Sequence, residues 1–79
     1  MKAKVTVKLK NGVLDPQGKA VLHAAQSLGF SEIKDVRVGK SFEIELEGKD
    51  IKQIKENLGK LSEKLLANTV IENFEIEIL

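Results

Sequence analysis

The residues of this chain that could do chemistry are few, and their types exclude more than they permit. There is a single histidine, His23, a single arginine, Arg37, and no cysteine. Nucleophilic catalysis needs a Ser, Thr or Cys beside a base that a third group orients. His23 is the only imidazole, and on a helical wheel it falls away from the apolar positions, so it reads as a solvated surface side chain. The absence of cysteine rules out thiolate ligands and disulfides. The carboxylates Glu43, Glu45 and Glu47, and again Glu75 and Glu77, alternate along their segments. That is the pattern of a solvated sheet face, not of clustered metal ligands.

Two further chemistries can be checked in the same way. Sheet domains that bind RNA stack bases on strand aromatics. Here Phe42 and Phe74 alternate in step with aliphatic neighbours and read as core, and Phe30 stands alone. A small acyl-phosphate hydrolase needs an arginine in the loop that cradles the phosphate, and the loop from Asn11 to Asp15 holds none. Gly39-Lys40 could offer backbone N–H groups and one cation to an anion, but two residues of this kind also make a plain hairpin tip. Catalytic, cofactor and metal residues are therefore expected to be absent.

The strongest local signal is Val13-Leu14-Asp15-Pro16-Gln17-Gly18-Lys19-Ala20. Asp15 suits an N-cap and Pro16 the first helical position, where a missing N–H has no consequence. Gly18 is unexpected in that first turn, where glycine costs roughly 0.5–1 kcal/mol against alanine. Its presence implies a close backbone approach.

The elements around this junction follow from periodicity. Lys2 to Lys10 alternates, with Ala3, Val5, Val7 and Leu9 on one face, and Asn11-Gly12 closes the strand. Asp15 to about Leu28 reads as a helix with an apolar stripe of Ala20, Val21, Ala24, Ala25 and Leu28, Leu22 off the stripe and Gly29 as the stop. Two strands are expected next, from Ile33 to Val38 and from Ser41 to Glu47, with a hairpin at Gly39-Lys40. Asp50 then caps a second helix, with Gln53 completing a capping-box-like pair. Ile51, Ile54, Leu58, Leu61 and Leu65 form its sheet-facing seam, and Asn68 suits its stop. Gly59 inside that seam has no explanation in the sequence. A last strand runs from about Val70 or Asn73 to Leu79.

The order β-α-β-β-α-β predicts an α+β two-layer sandwich, a four-stranded antiparallel-type sheet with both helices on one face. Outward lysines on the first strand and glutamates on the third and fourth favour the ferredoxin-like order 4-1-3-2, since opposite cross-strand charges contribute roughly 0.2–1 kcal/mol per pair. The chain has 79 residues and a net charge of +1. We expect one domain over residues 1–79, and no global electrostatic bias toward nucleic acid or membrane. A domain of this size buries only about 60% of its unfolded surface, so self-association is expected. With no apolar leader or spanning run, a soluble cytoplasmic protein is the default.

Three segments taken together carry a family resemblance: Val13-Leu14-Asp15-Pro16-Gln17-Gly18, Asp35-Val36-Arg37-Val38-Gly39-Lys40, and Glu63-Lys64-Leu65-Leu66-Ala67-Asn68-Thr69-Val70-Ile71-Glu72. In this order and spacing the chain resembles the small PurS subunit of phosphoribosylformylglycinamidine synthase over essentially its whole length. It departs from the family pattern at Thr69, where proline is common, and at Phe74, where tyrosine is common.

The resemblance implies a dimeric, non-catalytic subunit of a glutamine-dependent, ATP-consuming carbon–nitrogen ligase of purine biosynthesis. A glutaminase subunit would free ammonia, and a large synthetase subunit would use ATP and magnesium to attach it. The small chain would bind no cofactor itself, would join the other two and would support ammonia transfer. Partner-interface candidates are then Asp15, Pro16, Gly18, Arg37, Gly39, Lys40, Asn68 and Glu72. Segment exchange between protomers is compatible with the short turn at Gly48. Readings from other classes are a homodimeric regulatory domain binding a small molecule and a small phosphohydrolase. Neither has a motif here.

Overall fold

The computed structural model describes all 79 residues. Strand β1 (Lys2–Leu9) is followed by helix α1 (Pro16–Ser27), strand β2 (Gly39–Glu45), helix α2 (Ile51–Leu61) and strand β3 (Glu72–Ile78). Between α2 and β3 the helix continues through a single π-helical turn, Ser62–Leu66. The sheet has three strands in the order β2-β1-β3, both pairs antiparallel.

The central strand shows why the sheet forms. Ala3, Val5 and Val7 have no exposed surface, and each is flanked by a residue of both neighbouring strands. Val5 lies opposite Phe42 and Ile76, Val7 opposite Lys40 and Phe74, and Ala3 opposite Ile44 and Ile78. Lysines meet glutamates on the other face, Lys4 standing between Glu43 and Glu77. The charge argument thus gave the right neighbours for these three strands.

Helix α2 covers the apolar face. Ile54 and Leu58 pack on Ala3, and Ala67 joins Val5 and Val7. Asp50 Oδ1 accepts the Gln53 N–H at 3.2 Å, as the cap predicts. The reciprocal half of a capping box does not form, because Gln53 Nε2 donates to Asn57 Oδ1 at 3.1 Å. The π-turn alters the seam. Ala67 N–H donates to Ser62 O at 2.8 Å, and the buried Ser62 Oγ donates to Leu58 O at 2.8 Å. The extra residue turns Leu65 outward, where it is 74% exposed, and brings Leu66 against the core instead. Ile51 also stays half exposed, so the expected five-residue seam is shorter than its periodicity suggested.

Three corrections concern the middle of the chain. The expected strand Ile33–Val38 does not form, so the sheet has three strands and not four. The reason lies in its amides. Val36 N–H donates to Asp35 Oδ1 at 3.0 Å and Val38 N–H to Asp15 Oδ2 at 2.7 Å. Residues two apart present their amides to the same side of an extended chain, and here carboxylates occupy that side. Gly39-Lys40 is accordingly no hairpin tip; these residues open β2, opposite Lys8 and Val7.

Helix α1, finally, buries a different face and supplies no residue to either core cluster. Gly18 and Leu22 are buried and Ala25 half-buried, whereas Ala20, Val21, Ala24 and Leu28 are exposed. The segment after the helix runs back along it, with Val36 over Gly18 and Ile33 O accepting from Gln26 Nε2 at 3.4 Å. This arm makes the molecule elongated, 49 × 25 × 15 Å, with a radius of gyration of 15.9 Å. A compact chain of this length would have about 12 Å. No helix is long and apolar enough to cross a membrane.

Candidate functional site

The expected interface residues converge on one end of the sheet, where the β1–α1 loop, the segment leading into β2 and the turn into β3 meet. Asp15 joins the first two. Its Oδ1 accepts the Gly18 N–H at 2.8 Å, which caps α1, and its Oδ2 accepts Val38 N–H at 2.7 Å. The residue is 5% exposed. These two amides, opposed by desolvation and helped by the nearby Arg37 guanidinium, hold its carboxyl below the usual aspartate range. Gly18 is buried directly behind the cap, and a Cβ there would collide with the Val36 carbonyl oxygen.

Arg37 closes the loop from outside. Its Nη1 donates to Val13 O at 3.0 Å and its Nη2 to Lys10 O at 3.2 Å. The fork of a guanidinium suits two carbonyls; an ammonium is a point donor. Lys10 N–H in turn donates to Ile71 O at 2.8 Å, tying the loop to the third segment.

That third segment is a self-closed turn. Asn68 O accepts the amides of Ile71 and Glu72, Asn68 Oδ1 accepts Val70 N–H at 3.2 Å, and Glu72 Oε1 accepts Asn68 N–H at 2.7 Å. Across the end of β1, Lys40 Nζ lies 3.9 Å from Glu72 Oε2 and 5.8 Å from the centre of the Phe42 ring. Gly39 has a packing role, since a Cβ would stand 2.8 Å from Val7 O. A shallow depression of about 230 Å³ lies among Asp15, Gly39, Lys40 and Glu72. Ligand pockets usually span about 300–1,000 Å³.

The candidates therefore divide by exposure. Asp15 and Gly18 lie inside the cluster, Glu72 is half-buried, and Pro16, Arg37, Gly39, Lys40 and Asn68 reach the surface. Three exposed aliphatics at the same end escaped the sequence reading: Leu14 at 71%, Val70 at 81% and Ile71 at 38%. The available signal was their position between turn residues, where no helix or strand period places them in a core. His23 is exposed on α1.

At this end of a small α+β domain, Leu14, Val70 and Ile71 stand out of a frame whose polar groups are tied to one another and to backbone. The sequence pattern of the PurS family, described as phosphoribosylformylglycinamidine (FGAM) synthase, matches residues 2–79, and the chain belongs to that family. It is 48% identical over 77 residues to the phosphoribosylformylglycinamidine synthase subunit PurS of Bacillus subtilis, covering 98% of this chain and 90% of that one. A crystal structure of Bacillus subtilis PurS superposes with a TM-score of 0.87 at 49% identity, covering 96% and 94% of the two chains. A chain in the structure of PurLQS from Thermotoga maritima does so with a TM-score of 0.89 at 29% identity, covering 99% and 95%.

Proposed function

We propose that this chain is the small, non-catalytic subunit of a phosphoribosylformylglycinamidine synthase, joining an ATP-dependent synthetase subunit to a glutaminase subunit and supporting the passage of ammonia between them. The observation that carries this reading is the full-length likeness to a chain of a PurLQS structure. ATP, magnesium and glutamine would then be handled by the larger subunits, in the cytoplasm.

The contact surface in this reading is the end of the sheet. Pro16, Lys40 and Asn68 would meet a partner together with Leu14 and Val70, while Asp15, Gly18, Arg37, Gly39 and Glu72 hold that surface in shape. Such a surface, apolar side chains inside a polar rim, has the layout of a protein–protein contact. Self-association goes with the arm, where Val21, Leu28 and Phe30 are about half exposed or more and would be covered by a second copy.

The test is reconstitution. The chain is mixed with the large synthetase and glutaminase subunits, and glutamine-dependent amidation of formylglycinamide ribonucleotide is followed with and without it. The expected result is that amidation supported by glutamine requires this chain. Equal rates without it would remove the proposal.

A further inference from the structure

We infer that Asp15 is a positioning residue whose two carboxylate oxygens do separate work: one caps α1, and the other clamps the returning segment at Val38, fixing the arm to the end of the sheet. Capping alone does not require an aspartate, because Asn and Ser cap about as well. Only a second acceptor serves Val38 N–H, which lies 23 residues away in sequence at 2.7 Å from Oδ2.

The surroundings make this bond the junction of two parts. Neither core cluster includes a residue of α1, so the arm is not held to the sheet by a shared apolar core. Val38 is the last residue before β2, and the next residue already pairs with Lys8. The carboxylate therefore joins the first turn of the arm helix to the chain at the point where it enters the sheet. Gly18 permits the geometry, because Val36 O occupies the space of a β-carbon. Being 5% exposed, Asp15 is in no position to touch a partner itself. Its effect on assembly would act through the surface it supports, and that part of the inference rests on the function proposed above.

Two substitutions separate the roles. Asp15→Asn keeps an acceptor for Gly18 N–H and turns a donor toward Val38 N–H; Asp15→Ser keeps only the cap. Amide exchange by NMR, helix content by circular dichroism and assembly with the synthetase and glutaminase subunits are measured on the full-length chain. In both variants α1 is expected to stay helical, with Val38 exchanging about tenfold faster, the factor of one lost hydrogen bond, and assembly weakened. Unchanged Val38 exchange would overturn the clamp. Faster exchange with undiminished assembly would overturn the positioning role, and loss of α1 in both variants would overturn the division of labour. Failure of the unsubstituted chain to join the two subunits would instead remove the functional reading, while exchange at Val38 still decides the clamp.

Discussion

The Val36 carbonyl oxygen stands over the α-carbon of Gly18, in the space a β-carbon would fill. A backbone atom cannot swing aside as a flexible side chain can, so this contact sets how closely the arm helix and the returning segment approach. It also explains a glycine in the first turn of a helix, which propensity alone disfavours.

Gly18→Ala should therefore destabilise the protein, although alanine is the better helix former. Overpacking of this kind costs about 1–3 kcal/mol, more than the helix propensity returned. Urea denaturation of the isolated chain measures it; a variant as stable as the parent would mean that the two segments separate freely.

Gly59→Ala should do the opposite. A Cβ there meets nothing within 4 Å, so the substitution is expected to stabilise the chain by about 0.5–1 kcal/mol. Nothing in the structure explains the glycine. The same denaturation experiment gives the sign, and the pair tests whether space or propensity governs each helix.

The π-turn makes a third prediction. Leu58 is buried against Ala3 and Ile54, and Leu65 is exposed although both belong to one apolar repeat. Leu58→Ala is expected to cost about 2–5 kcal/mol, whereas Leu65→Ala should stay within about 0.5 kcal/mol. Equal losses at both positions would mean that the helix keeps its α-period through Leu66.

Acid should loosen the arm junction through Asp15. Its carboxyl titrates below its ordinary value in the folded chain, chiefly because the Gly18 and Val38 amides bond the charged form. A lowered folded pKa gives a stabilising contribution that is complete above the unfolded value of about 3.9 and disappears as pH falls through the folded one. The urea midpoint of the parent should drop below about pH 4, and Asp15→Asn should remove that part of the drop. Parallel pH profiles for the two proteins would contradict it.

Much of the fold was legible in the residues. The alternation of Ala3, Val5 and Val7 gave the central strand, Asp15 and Asp50 gave both helix starts, and the lysine and glutamate faces gave the neighbours of β1. Asp15, Lys40 and Glu72 were legible as candidates, and they lie side by side at one end of the sheet. Their depth was not, because the same carboxylate reads alike in sequence whether it faces a partner or lies under a loop.

What the sequence determined by itself is local: caps, periods and the choice of strand neighbours, each fixed by groups within a few residues or by a repeating charge pattern. What only the tertiary structure decided is where distant backbone groups found partners. Asp15 took the Val38 amide and so ended a strand that its own residues favour. Val36 met Gly18 and so chose the buried face of α1 against its apolar stripe. An amide or a carbonyl in an extended segment is bonded by whichever group reaches it in three dimensions, and no period along the chain records which group that will be.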